Sequence, residues 1–275
     1  MINFNGNVVS EATVSLQNRA LNYGDALFET CKVVNGKILF WEDHYFRLMA
    51  SMRMLRMEIP MVFTMEFLEA EIIKLLQTQN ETAFRIKLLV FRNDGGFFEP
   101  KTHQVSYFIT AQALTEATFE PKTNYTVDLF KDYYTNTSLI NTLKTTNKLV
   151  NVLASIYAKE NTLDTCLLIN DNKNITEAIA ANLFLLKDNI IKTPPLTSGC
   201  LKGVMRKQLI NLINSDKSLV LVEEDISPFD LQKADELFLT NSIIGIQPIT
   251  KYRKKVFETT VSSKLLKLLN SSLDH

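Results

Sequence analysis

The sequence predicts a mixed α/β (α+β) fold in two domains, and three observations lead there. Strand-like and helix-like hydrophobic patterns alternate along the chain, the arrangement of sheets covered by helices. The 275 residues exceed a minimal module and suit two modest domains. A polar stretch at 114–122, containing Pro121, interrupts the pattern between them. The expected division is an N-terminal α/β domain over 1–113, a linker over 114–122 and a C-terminal α/β domain over 123–275.

Near the N-terminus, Asn5-Gly6 and Asn35-Gly36 each sit between apolar runs, the signal of a type I′ hairpin. The second joins a strand at 28–34 to one at 37–41. Trp41, Tyr45, Leu48, Met52 and Leu55 recur every three or four residues and predict a helix. Another helix is expected over 65–77. Strands follow at 84–91 and 104–111, around the turn Asn93-Asp94-Gly95-Gly96. The first half therefore reads as an antiparallel sheet with helices on one side. In the second half the pattern predicts strands at 125–131, 165–169, 181–186, 219–223 and 236–240. Helices are expected at 148–159, from Gly203 to 214, and at 256–269.

Composition excludes several classes. Thirty basic and 30 acidic side chains give zero net charge, so a general electrostatic grip on nucleic acid or anionic membrane is ruled out. No apolar run approaches the ~20 residues of a membrane-spanning helix. The first 15 residues lack the basic and apolar regions of a secretory signal. Cys31, Cys166 and Cys200 are an odd number without paired spacing and read as reduced, buried thiols of a cytoplasmic protein. His44, His103 and His275 are too scattered for a metal cluster, and no metal is expected.

No dinucleotide-binding glycine motif, P-loop, zinc-protease motif or serine-hydrolase elbow is present. Five segments are unusual for plain structure. The stretch 23–30 (YGDALFET) is a glycine turn feeding a strand. Arg47 shares a helical line with His44 and Ser51. Lys144 stands alone in the uncharged polar loop 141–147 (NTLKTTN). Glu177 precedes small residues and a strand in 175–184 (ITEAIAANLF). The segment 199–206 (GCLKGVMR) opens a helix, whose free N–H groups and dipole suit a phosphate.

In order and spacing these segments resemble the class IV aminotransferase family. Its members are fold-type IV enzymes dependent on pyridoxal 5′-phosphate (PLP), among them branched-chain and D-amino acid aminotransferases and aminodeoxychorismate lyase. The resemblance spans nearly the whole chain and ends at 239–242 (LTNS). It implies a D-amino acid aminotransferase-like fold of two α/β domains, with PLP in the cleft between them and sites near a homodimer interface. Lys144 matches the lysine that binds PLP covalently and then serves as the base for the Cα proton. Glu177 matches the carboxylate that keeps the pyridine nitrogen protonated. Arg47 matches the arginine that forks onto the phosphate. Val204 and Met205 match the phosphate loop at a helix start, and Asn241 and Ser242 a second phosphate-side loop.

The departures concern substrate. Phe28 stands where D-amino acid aminotransferases carry a tyrosine, and Met205 where many members have a threonine. After Arg92 this chain has Gly95-Gly96-Phe97-Phe98-Glu99-Pro100 in place of further arginines. Phe28, Arg92 and Phe97 are the expected substrate-side residues. The implied function, within amino acid metabolism, is transfer of an amino group between an amino acid and a 2-oxo acid. The alternatives are aminodeoxychorismate lyase and a catalytically inactive dimeric homologue.

Overall fold

The computed structural model describes residues 1–77 and 79–273; His275 lies outside them. The chain forms two compact units. The first is Met1–Ala117 together with Lys144–Asn147; the second is Thr118–Leu143 and the chain from Lys148 onward. The boundary falls inside the expected linker. Lys144, however, groups with the first unit and not with the C-terminal domain where the sequence put it. The cause is main-chain bonding: Phe28 N donates to Lys144 O at 2.9 Å, Thr146 N donates to Ala26 O at 3.1 Å, and Leu27 bridges Thr145 antiparallel.

The first unit contains β1 (Ile2–Phe4), β2 (Asn7–Val9), α1 (Arg19–Tyr23), β3 (Ala26–Val34) and β4 (Lys37–Ile38). It continues with α2 (Trp41–Met54), α3 (Met65–Leu76), β5 (Ala83–Arg92) and β6 (Val105–Ala113). The strands make one antiparallel sheet in the order β2-β1-β6-β5-β3-β4. Both Asn-Gly pairs turn two-residue hairpins, with Phe4 opposite Asn7 and Val34 opposite Lys37. All four turn residues have positive φ, which the type I′ turn requires.

Alternation then sorts the faces. Glu29, Cys31 and Val33 of β3, Ile86, Leu88 and Val90 of β5, and Tyr107 and Ile109 of β6 share one buried face. Both longer helices lie on it: Glu29 bonds to His44 and Arg47 of α2, and Asn3 bonds to Glu71 of α3. The other face carries Phe28, Thr30, Arg85, Lys87 and Thr110 and is more exposed. Lys144, opposite Phe28, adds to this sheet's free edge beside β3.

In the second unit one sheet has the order β16-β15-β7-β8-β9, from β7 (Thr126–Thr135), β8 (Thr165–Asn170), β9 (Ile175–Ala178), β15 (Lys251–Tyr252) and β16 (Lys255–Val256). The other has the order β12-β11-β10-β13-β14, from β10 (Asn182–Lys187), β11 (Ile190–Thr193), β12 (Val220–Glu223), β13 (Glu236–Asn241) and β14 (Gly245–Ile249). Its helices are α4 (Leu149–Glu160), α5 (Val204–Ser215), α6 (Pro228–Lys233) and α7 (Thr260–Ser271). The sheets pack face to face over a core that includes Val127, Leu167, Leu183, Leu237 and Ile249. On the outer face of the first sheet, Ala154 and Ala158 of α4 cover Phe130 and Leu168. On the outer face of the second, Glu236 accepts from the N–H groups of Val261 and Ser262 at 2.7 and 2.9 Å and so caps α7 from outside it. Among the described residues, no helix is long and apolar enough to cross a membrane.

Candidate active site

Glu29 is the centre of a buried charged cluster in the first unit. Arg47 sits on it side-on: Nε donates to Oε1 at 2.8 Å and Nη2 to Oε2 at 2.5 Å. His44 Nδ1 lies 2.7 Å from Oε2. Helical spacing brings His44 and Arg47 onto one face of α2, over the inward side of β3. Burial by itself would raise the Glu29 carboxyl. The Arg47 charge and the hydrogen bonds from His44 and Arg47 outweigh it and hold the group down at about 2. Burial likewise pushes the His44 imidazole down, against the pull of Glu29, and the net shift is downward. His44 is thus neutral at pH 7, with Nδ1–H assigned as the donor to Glu29 from its partner.

Lys144 leaves the sheet edge with its Nζ 4.4 Å from the centroid of the Phe28 ring, a cation–π contact. The YGD segment explains how the lysine strand can dock. Gly24 has φ +63°, and a Cβ there would stand 2.3 Å from Asn147 Oδ1. Asn147 Nδ2 and Thr146 Oγ1 both donate to Gly24 O at 3.1 Å. Asp25 takes Arg19 Nε at 2.9 Å and Arg92 Nε at 2.8 Å.

Arg92 therefore differs from its expected substrate role. Its Nη1 also donates to Arg56 O and meets His103 Nδ1, and its Nη2 donates to Leu55 O at 2.6 Å. The guanidinium is buried and built into the unit's frame. Arg19 does the same for the next turn, donating to the carbonyls of Gly95, Phe97 and Phe98. Phe97 and Phe98, 83% and 90% exposed, project outward from this fixed backbone. The sequence did not single out Lys87, whose Nζ lies 5.3 Å from the same Phe28 ring that Lys144 faces. Period-two alternation relative to Leu88 would have placed it on that side.

The second unit presents a carboxylate and a helix start. Glu177, on β9 and 9% exposed, accepts from Leu201 N at 2.8 Å. Its neighbour segment is locked by close approach: a Cβ on Gly203 would stand 2.0 Å from Asn182 Oδ1, and Asn182 Nδ2 donates to Leu201 O at 2.9 Å. Gly203 is the N-cap of α5, and no side chain caps that end. Val204 and Met205 are the first two residues of the helix, both side chains buried, so what they offer outward is backbone N–H. Asn241 uses its side chain on the turn after β13. It accepts from Ile243 N and Ile244 N at 2.9 and 3.0 Å and donates to Ala180 O at 2.9 Å. Ser242, half-buried, follows on that turn.

The family model for amino-transferase class IV matches residues 26–252. The chain belongs to that family. A putative branched-chain-amino-acid aminotransferase of Methanocaldococcus jannaschii is 29% identical over 274 residues, 98% of this chain and 93% of that protein. A D-alanine aminotransferase of Listeria innocua is 28% identical over 247 residues, 88% of this chain and 83% of that protein. The crystal structure of a putative 4-amino-4-deoxychorismate lyase from Legionella pneumophila shares the fold, with TM-score 0.86, 24% identity and coverage of 95% and 96%.

Class IV aminotransferases depend on PLP, and this chain's donor set suits that cofactor. The first unit carries the Lys144 amine and the Arg47 guanidinium, and the second carries the buried Glu177 carboxylate and the start of α5 without a side-chain cap, groups whose chemistry matches an aldehyde, a ring nitrogen and a phosphate. Among the described residues no group of three or more His, Cys, Asp or Glu could hold a metal.

Proposed function

We propose that this protein is a PLP-dependent aminotransferase that moves an amino group between an amino acid and a 2-oxo acid. The observation that carries it is the retained set of Lys144, Glu177 and Arg47, with Arg47 on α2, Glu177 on β9 and Lys144 on a segment bonded to β3. PLP, when bound, supplies an electron sink for the pair left at the substrate Cα. Lys144 would hold the cofactor through Nζ and supply the amine that moves the Cα proton. Glu177 would keep the ring nitrogen protonated, with its carboxylate steadied by the bond from Leu201 N. Arg47, the Val204 and Met205 N–H groups and the turn of Asn241 and Ser242 bind phosphate. Asn241 acts there by shaping that turn, since its amide is engaged. Phe28 shields Lys144 from water on one side.

The test is a half-reaction. Holoenzyme mixed with an amino donor alone should release the 2-oxo acid and convert the cofactor spectrum, and a 2-oxo acid should restore it, the ping-pong pattern. No spectral change with any donor would overturn the transferase.

Lys87 favours a second reading. A second ammonium beside the Phe28–Lys144 pair suits a substrate with an extra carboxylate. Aminodeoxychorismate is such a substrate, and its lyase cycle needs no 2-oxo acid. Pyruvate and 4-aminobenzoate appearing from it would establish that reaction. The exposed Phe97 and Phe98, on a backbone fixed by Arg19, suit burial against a second copy, and we propose a homodimer. Light scattering on a Phe97→Ser, Phe98→Ser variant checks this, with a monomer expected and an unchanged dimer overturning that surface. The three buried free cysteines fit a reducing, cytoplasmic setting.

A further inference from the structure

We propose that Glu29 and His44 are positioning residues that set the plane of the Arg47 guanidinium so that it meets the cofactor phosphate in one fixed orientation. This rests on the assignment of Arg47 to phosphate made above. Electrostatics alone argues against placing Glu29 there. A carboxylate 2.5–2.8 Å from the guanidinium cancels its charge, so a phosphate dianion meets a dipole in place of a full cation. What Glu29 supplies instead is geometry. Two parallel N–H···O bonds through Nε and Nη2 define the guanidinium plane.

His44 supports the same interpretation. It is fully buried, and its Nε2 has no hydrogen-bond partner among the described residues. A half-satisfied buried imidazole is worse for stability than an apolar side chain of similar size. What it contributes is a third bond to Glu29, which stops the carboxylate from rotating about its last torsion. Ser51 Oγ, bonded to Arg47 O at 2.7 Å, steadies the backbone of the same turn. A carboxylate retained only as counter-ion to a buried arginine would not need the imidazole.

The test compares the affinity of apo-protein for PLP with its affinity for pyridoxal, by equilibrium dialysis, so that the ratio isolates the phosphate. Folding is checked by circular dichroism. In Arg47→Ala the preference for PLP should collapse; if it does not, the phosphate assignment fails and this proposal falls with it. With that collapse established, Glu29→Gln and His44→Leu should each lower the preference about tenfold, the scale of one charge-assisted bond. His44→Asn, whose amide can replace the Nδ1 donor, should restore it. In the Arg47→Ala background neither change should have any effect on the ratio. A folded Glu29→Gln with unchanged or increased preference would show that charge alone governs the site and would overturn the positioning role. Should Glu29→Gln fail to fold, the His44→Leu and His44→Asn pair decides: equal preference in both overturns it.

Discussion

The two units hold their functional groups by different physics. In the first, Arg47 is fixed by an ionised carboxylate, and the frame around the lysine segment rests on a second, partly buried carboxylate, Asp25, between Arg19 and Arg92. In the second, Glu177 is met by a backbone amide, and its neighbour segment is fixed by the fit of Gly203 against Asn182. Buried ion pairs contribute direction but tie stability to ionisation, since breaking one partner strands the other charge. Close neutral packing is indifferent to pH and intolerant of a single added carbon. The first unit should therefore fail chemically and the second sterically.

The largest effect belongs to Lys144. Lys144→Ala should reduce turnover by on the order of 10³-fold or more, because the amine is both the attachment of the cofactor and the base. Its main-chain bonds to Phe28 are independent of the side chain, so the fold should persist. Comparable turnover by the variant, measured with its circular dichroism unchanged, would remove the lysine from the chemistry.

A steric change in the second unit comes next. Gly203 has φ −68°, which any residue adopts, so the main obstacle to alanine there is Asn182 Oδ1 at 2.0 Å, with Arg206 Cβ tight at 3.3 Å. Gly203→Ala should destabilise the protein by about 1–3 kcal/mol, the range of overpacking. Adding Asn182→Ala removes the obstructing amide, and the double variant should be destabilised by less than the sum of the two single changes. Denaturant melts of the four proteins read this directly. Additive losses would mean that Gly203 matters for some reason other than that contact.

How far the sequence reveals these two modes follows from their range. The Asn-Gly hairpins, the α2 stripe and the lysine loop are local patterns and were visible. β9, β11 and β14 were not foreseen. β14 contains Pro248, which argues against a strand, yet β14 is the edge of its sheet and the proline pairs opposite Phe238 without needing a second neighbour. α7 begins at Thr260 and not at 256, because 255 and 256 close a hairpin as β16. The six residues of α6 are too few for periodicity, but their capping box, Ser227 with Asp230 around Pro228, was a usable signal. The Asp25–Arg92 pair joins residues 67 positions apart, and no local pattern announces it. Arg92 consequently read as a substrate ligand when it is part of the frame. Likewise Glu29 passed as one residue of a motif, although it organises both Arg47 and His44.

Acid should separate the two modes, with a smaller effect. The ordinary carboxyl value for Glu29 is 4.5, and in the fold it is held at about 2. A folded value below the unfolded one means that the unfolded chain binds the proton first. The stabilisation is therefore complete above about 4.5 and is lost as pH falls towards 2. Its size is roughly 3 kcal/mol at most. His44 acts in the same sense from a higher starting point: its value is lowered from 6.5, so stability begins to fall once pH drops below 6.5. The Gly203–Asn182 contact of the second unit involves no titratable group and contributes no such slope. Thermal melts between pH 7 and 3 should show a loss that Glu29→Gln flattens below 4.5 and His44→Asn flattens nearer 6. The Gly203→Ala variant, less stable throughout, should keep the wild-type slope, because its defect is a matter of volume and not of protons. If its slope changed as much as that of Glu29→Gln, the division between a charged and a packed mode of support would not hold.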